Sequence, residues 1–382
     1  TGAELDAFRP DEEVKRLARL AIELGLANNI KKATDFEEVR LKFEKTDKGK
    51  AWLSEFDKSS FPWFYMVVMQ GMFPYSDEAC WIENPKIILG FLKIYIEKLE
   101  RGEKIERNVK ALNEEREQTF KKYYNMLKTE EEKQRFKGIH HMAFTLYTAV
   151  EEQVLYVKNW NFALLRRNVR KFAEILAKHG LIKEPNDIFY LGFDEIKLAL
   201  QELTWCWGNG EPPSTHWIKE IEWRKKILEK FEKWSPPVFL GPWKETLIEP
   251  FLVLHTGLTG DEVKLYEKGL KLEKIMKVKG WPASAGVVEG RARVVMESKE
   301  IAELSPGEIL VCPHTSPAWT PGFAVIKGVV TDQGGMMSHA AIVSREYEIP
   351  AVVGTWTGTQ VIKTGDLIRV DGDKGTVTIL RR

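Results

Sequence analysis

The sequence predicts a multidomain protein of mixed class, α followed by α/β, with a helical N-terminal domain and a β-rich C-terminal domain. Three observations predict it. The chain has 382 residues, whereas a single core mostly serves about 100–200. Apolar residues recur at helical spacing up to about Leu200, and beyond Gly280 they fall into short β-type runs. Between the two lies a stretch rich in turn formers, with Gly208, Gly210, Pro212, Pro213, Pro236, Pro237, Gly241 and Pro242.

In the first region, Val169, Phe172, Ala173, Leu176 and Ala177 show the three- and four-residue spacing of an amphipathic helix. From Lys104 to Lys137 charged and polar residues dominate and aliphatic anchors are few, which predicts a long, partly exposed helical hairpin. A short helical run from Trp217 to Trp234 interrupts the turn-rich stretch, and Asp261 to Lys279 reads as a charged connector ending at Gly280. The expected organisation is residues 1–260 as a helical domain, 261–280 as a linker and 281–382 as the C-terminal domain.

In the C-terminal domain the expected strands are Gly286–Val295, Ile309–Cys312, Ala324–Val330, Ala351–Val353, Leu367–Val370 and Thr376–Leu380. Ser298–Leu304 and Ala340–Tyr347 read as helices, and the turn Asp371–Gly375 predicts a closing hairpin. The regular strand-helix alternation of a nucleotide-binding fold is missing.

Composition narrows the function classes. Apolar residues make up 43% and charged residues 30% of the chain, the balance of a globular protein. The 57 basic and 56 acidic residues nearly cancel, which argues against nucleic acid or an anionic membrane as partner. Cys80, Cys206 and Cys312 are odd in number and share no C-x-x-C spacing, so neither a disulfide framework nor a zinc site is expected, and a reducing cytoplasm fits best. Neither an export signal nor a run of about 18 uninterrupted apolar residues is legible. The chain begins without Met and is read as trimmed or as part of a longer product.

The chemistry concentrates at Thr331-Asp-Gln-Gly-Gly-Met-Met-Ser-His339, which follows an apolar strand and leads into Ala340–Glu346. Gly334 and Gly335 give the turn backbone freedom and let a ligand approach the main chain. Ser338 reads as a helix N-cap, which places His339 in the first turn. There the free N–H groups and the helix dipole stabilise an adjacent anion and disfavour imidazolium. The dipole contributes only about 0.3–1 kcal/mol on an exposed surface, so catalysis must come from alignment and from cations held elsewhere.

The string T-x-x-G-G-x-x-S-H-x-A-I-x-x-R-E, followed by Ile349-Pro-Ala-Val-Val-Gly354, resembles the phosphohistidine signature of the phosphoenolpyruvate-utilising enzymes. Gly286–Gly290 and Ile309–Trp319 match the same pattern in order and spacing, so the resemblance covers about residues 280–380. It implies a swivelling phosphohistidine domain of β/β/α type with His339 as the phosphorylated residue. It also implies Thr331 and Ser338 as hydroxyl partners of ring or phosphate, Gly334 and Gly335 as the turn, and Arg345 as a residue that fixes the helix. His314 matches no catalytic position of the pattern and reads as structural.

The resemblance implies three stations: an ATP-binding one that charges the histidine, the swivelling domain, and an acceptor site. No Walker-type loop, ATP-grasp stretch or pyruvate-binding barrel is legible, so ATP and Mg²⁺ are expected on a partner phosphotransferase subunit or domain, with no cofactor or metal held by this chain. In layout the chain looks like phenylphosphate synthase, rifampin phosphotransferase and phosphoenolpyruvate synthase-like proteins without their ATP-binding domain. The helical region is then the expected acceptor station for a small hydroxyl compound. Its many tryptophans, among them Trp52, Trp63, Trp81, Trp160, Trp205, Trp207, Trp217, Trp223, Trp234 and Trp243, suit a flat aromatic acceptor such as a phenol. His140, His141 and Tyr147 are candidates for a base beside it, and Arg166 and Arg167 for a carboxylate clamp. Two rivals stay open: a phosphoenolpyruvate synthase-like component acting on pyruvate, and a non-catalytic phosphocarrier or regulatory scaffold. A close-fitting aromatic pocket would favour the enzyme, and a flat apolar patch the scaffold.

Overall fold

The computed structural model describes residues 5–66, 80–231, 275–296, 300–301 and 304–382. In the helical region α1 (Arg9–Glu23) has Pro10 in its first turn and buries Val14, Leu17, Ala18 and Ala21 along one face. α2 (Ala27–Lys32), α3 (Phe36–Phe43) and α4 (Asp47–Trp63) follow. The Trp52 indole, fully buried, donates to the Leu17 carbonyl at 3.0 Å and so ties α4 to α1. α5 (Lys86–Glu100) buries Ile88, Phe91, Leu92 and Tyr95 and completes this first core.

α6 (Val109–Met126) and α7 (Glu130–Gln153) form the expected exposed hairpin. Leu112 is the buried residue of α6, and α7 has none. A capping box of Thr129 and Glu132 starts α7, which runs through a π-helical segment (Val154–Trp160) into α8 (Asn161–Lys178). α8, α9 (Phe193–Asn209) and α10 (His216–Phe231) share a separate small core around Leu176, Ile188, Leu203 and Trp217.

The C-terminal domain is built on a mixed sheet of eight strands among the described residues, in the order β1-β8-β7-β3-β4-β5-β6-β2. The strands are β1 (Lys277–Lys279), β2 (Trp281–Ser284), β3 (Val287–Val294), β4 (Ile309–Cys312), β5 (Gly328–Thr331), β6 (Ala351–Val353), β7 (Leu367–Asp371) and β8 (Thr376–Arg381). β3, β4, β5 and β6 run parallel, and β1, β8, β7 and β2 pair antiparallel. Alternation sorts the two faces: Ile309, Val311, Val330 and Val352 join Val370 and Val377 on one, while Leu310, Cys312, Val329 and Val353 lie on the other. The second face is covered by α12 (His339–Glu346) through Ala340, Ala341 and Val343. Two single turns, α11 (Thr320–Phe323) and α13 (Gly358–Val361), complete the described helices.

Some sequence expectations need correction. Ala324–Ile326 is not strand: the amides of Val325 and Ile326 donate back to the Gly322 carbonyl, closing the turn of α11, and β5 starts at Gly328. The expected connector over residues 261–280 lies mostly outside the described residues, and its last part, Lys277–Lys279, is a sheet strand paired to β8. The helix expected at Ser298–Leu304 also falls largely outside them. No helix among the described residues is long and apolar enough to cross a membrane.

Candidate active site

The parallel pairing of β4 with β5 sets Cys312 opposite Thr331, so the segments leaving both strands run side by side. The amides of Asp332 and Gln333 donate to the carbonyls of Cys312 and Pro313 at 3.1 and 2.9 Å. From the other side, Thr355 donates to the Thr331 carbonyl through both its amide and its hydroxyl, at 2.9 and 3.0 Å. Buried Asp332 accepts from the Thr359 amide at 2.9 Å and from the Thr359 hydroxyl. The start of the loop before His339 is therefore pinned on two sides.

Gly334 has φ of 119°, and a Cβ there would come within 2.8 Å of Ser338 Oγ, so no other residue fits without displacing the cap. Gly335 has no positive φ; its carbonyl accepts from the Ser338 amide at 3.0 Å. Ser338 is the N-cap of α12, with its hydroxyl accepting from the Ala341 amide at 3.4 Å. Arg345 reaches back from the last turn, donating to Met336 O at 3.0 Å and Ala283 O at 2.7 Å, and ties the loop to β2.

His339 thus opens α12 as a half-buried side chain. Its Nδ1 lies 2.8 Å from Thr315 Oγ1, and its ring meets Phe323 edge-on, with centroids 6.2 Å apart. Burial, reinforced by the neighbouring His314, pushes the His339 imidazole down to about 3. Burial also lowers His314. At neutral pH the His339 ring is uncharged. In the tautomer whose Nδ1–H donates to Thr315 the Nε2 lone pair is available, as a nucleophile needs; in the other tautomer the Thr315 hydroxyl donates to Nδ1.

Of the hydroxyls near the loop, the one at the ring is that of Thr315. Thr331 is fully buried and donates to Gln333 O at 2.7 Å, while Ser338 is occupied as the cap. Thr315 carries no individual signal in the sequence, and His314, expected to be structural, stands beside the same ring. Both lie in Pro313-His-Thr-Ser316, and only the β4–β5 register brings that string to the histidine.

Residues 304–375 match the family described as "PEP-utilising enzyme, mobile domain". The C-terminal domain is a PEP-utilising mobile domain. Over longer stretches the chain is also similar to curated proteins. It is 28% identical over 347 residues to the "Uncharacterized phosphotransferase YvkC" of Bacillus subtilis, covering 91% of this chain and 38% of the relative. It is 30% identical over 302 residues to a rifampicin phosphotransferase of Bacillus cereus, covering 78% of this chain and 32% of the relative. A probable phosphoenolpyruvate synthase of Staphylothermus marinus is 48% identical over 122 residues, covering 30% of this chain and 15% of that protein. The chain spans less than two fifths of each of these relatives.

The acceptor candidates of the helical region do not converge. His140 lines a groove of about 790 Å³ between the α6–α7 hairpin and the mobile domain, together with Arg116, Phe120, Tyr123, Phe136 and Arg345. His141 is exposed. Tyr147 packs with Leu5, Phe8 and Tyr347, and burial pushes its hydroxyl up. Arg166 is buried with its guanidinium over Phe189 at 5.5 Å, and Arg167 stacks over Tyr65 at 4.7 Å. Those two arginines sit on α8, where neither lines the groove. Nor do the tryptophans gather: Trp52 and Trp81 are core, Trp205, Trp207 and Trp223 are exposed, and Trp234 and Trp243 lie outside the described residues. No cluster of metal-ligating side chains occurs among the described residues.

Proposed function

We propose that this chain is a phosphotransferase component whose His339 carries a phosphoryl group from an ATP-charged station to a small hydroxyl acceptor. The observation that carries this reading is the imidazole itself: desolvated, neutral, fixed at Nδ1 by Thr315 and set at the start of α12. In the charging step the Nε2 lone pair attacks phosphorus, an N–P bond forms and the P–O bond of the donor breaks. In the discharge step the acceptor oxygen attacks, N–P breaks, the acceptor proton leaves to a base, and Nε2 regains its lone pair. ATP and Mg²⁺ belong to a partner subunit or domain in this scheme, and the protein works in the cytoplasm.

A neutral aromatic alcohol, such as a phenol, suits the acceptor site better than pyruvate. The groove beside the mobile domain presents Phe120, Tyr123, Phe136 and His140, with His140 as the candidate base. Ring burial favours a flat apolar ligand at about 25 cal/mol per Å², whereas a carboxylate would need a dedicated cationic clamp. Of the groove's own cations, Arg345 donates to the Met336 and Ala283 carbonyls and Arg116 lies over the Phe144 ring, while Arg166 and Arg167 are engaged on aromatic rings elsewhere.

The test combines the chain with candidate ATP-binding subunits and γ-labelled ATP. An acid-labile label on His339 is expected, and label that survives mild acid or persists in His339→Ala ends the proposal. Calorimetric titration with phenol and pyruvate then sorts the acceptors. Phenol binding weakened in His140→Ala supports the groove, and tight pyruvate binding lost in Arg166→Ala or Arg167→Ala overturns the aromatic reading.

A further inference from the structure

The surface by which the mobile domain meets the helical region is charged, and the charges are buried. Asp11 on α1 is 2% exposed and Lys15 is 4% exposed, with Lys15 Nζ 2.5 Å from Asp11 Oδ2. Tyr347, just beyond α12, donates to the same Asp11 oxygen at 2.6 Å and stands 3.5 Å from Lys15 Nζ. Tyr95 on α5 donates to the other Asp11 oxygen, and its hydroxyl lies 3.3 Å from the Pro321 carbonyl. Lys98 donates to the Ala324 carbonyl. Glu346, the last residue of α12, pairs with Arg107 at 3.1 Å, the two side chains being 1% and 6% exposed. Arg107 also lies over the Phe8 ring at 3.5 Å.

We propose that this network is a reversible latch: Glu346 and Tyr347 of the mobile domain, seated on Arg107 and on Asp11, Lys15 and Tyr95, define one docked position of His339. The latch rests on the carrier reading, because a domain that never leaves has no use for a releasable seat.

Two physical arguments support it. His339 and Glu346 are the first and last residues of one helix, about 10 Å apart along its axis at 1.5 Å per residue. Seating Glu346 therefore places the imidazole. Secondly, apolar residues of both regions, such as Val14, Leu17 and Phe91 with Trp319, Phe323 and Val343, belong to one continuous cluster. Apolar contact adheres without fixing a register. A buried ion pair contributes little net stability when it forms from solvated charges, but it strongly disfavours any arrangement that leaves one charge without its partner. Such an interface releases readily and returns to one position.

The test places spin labels on Lys45→Cys and Gln360→Cys in a Cys206→Ser background and measures the distance between the regions in the full chain. The parent is expected to give one dominant distance. Arg107→Met, which leaves Glu346 buried without its guanidinium, should shift the docking equilibrium about a hundredfold towards a second, longer distance. The double variant Arg107→Met/Glu346→Met should recover the parent distance, and Tyr347→Phe, which preserves the ring, should shift it by about tenfold or less. Circular dichroism of each variant separates undocking from unfolding. An unchanged distribution in both Arg107→Met and Tyr347→Phe overturns the latch, as does a double variant no better docked than the single. Phosphoramidate, a small phosphoryl donor that needs no partner subunit, is applied to the same samples. An unlabelled His339 with shifting distances sinks the carrier reading alone, and a labelled His339 with fixed distances sinks the latch alone.

Discussion

The loop that presents His339 and the α6–α7 hairpin that walls the groove are built in opposite ways. In the loop, neighbouring segments hold residues 331–333 through backbone groups, Arg345 holds Met336, and a glycine at φ of 119° leaves no room for a side chain. In the hairpin, two long helices bury Leu112 and little else. A phosphoryl acceptor requires a nucleophile fixed to a fraction of an ångström, and the loop supplies that rigidity. Contacts to varied acceptors tolerate an adjustable wall, and the hairpin has the low packing of a segment that opens locally. Substitutions in the loop should therefore alter phosphorylation of His339, and substitutions in the hairpin should alter acceptor binding while leaving that phosphorylation in place.

The largest expected effect is His339→Ala, which should abolish phosphoryl labelling while far-UV circular dichroism and the melting temperature stay near the parent values. A half-buried side chain at a helix start can be truncated without opening the core. Loss of cooperative melting in this variant would mean that the loop depends on the imidazole and is no more rigid by itself than the hairpin.

Thr315→Val comes next. It keeps the side-chain shape and removes the hydroxyl 2.8 Å from Nδ1. Losing a partner of a buried polar group costs about 1–3 kcal/mol, so the labelling rate should fall roughly 10- to 100-fold, with a ring tautomer shift visible by nitrogen NMR. An unchanged rate would assign the alignment of the ring to Phe323 and the helix start instead.

The titration of His339 is a subtler check. Its folded-state value of about 3 lies below the ordinary 6.5 of imidazole, with burial as the main cause. Between those values the unfolded chain binds the proton and the folded chain does not. The stability this contributes is present in full above about pH 6.5 and is lost as pH falls towards 3. His339→Gln should flatten that slope. Measured by proton NMR, a His339 titration near 6.5 would show that the ring is solvated and refute the desolvated nucleophile.

How much of this was legible in the sequence follows the same contrast. The loop was readable because its determinants are local: paired glycines, an N-cap and a histidine in fixed order. The hairpin was readable from its charge density. Thr315 was not, since it reaches His339 only through the parallel register of β4 and β5, a long-range pairing that no local pattern encodes. β1, a three-residue strand with two lysines and one buried valine, lacks the apolar run that marks a strand, and gains its identity from pairing with β8. Arg166 and Arg167 were visible as cations on a helix, but their engagement with Phe189 and Tyr65 depends on tertiary packing.

The smallest expected effect tests the hairpin side. Glu151 of α7 has its carboxyl pushed up by burial first and by Glu346 of the mobile domain second. A raised carboxyl disfavours the charged form in the folded state, so at neutral pH Glu151 withholds stability, and that stability returns as pH falls through its folded value. Glu151→Gln removes the charge and keeps the shape. Its melting temperature at pH 7 should exceed the parent by roughly half a degree, the size that a few tenths of a kcal/mol produces in a chain of this length. The difference should shrink as pH falls through the raised folded value and be gone by about pH 4.5, where the carboxyl is protonated with or without the fold. Phosphoryl labelling of His339 should not change, because the residue acts on packing and not on the imidazole. A lower melting temperature would show that the carboxylate is held by partners the hairpin depends on. The hairpin would then belong with the rigid half of the comparison, and its wall of the groove would select acceptors by fixed shape.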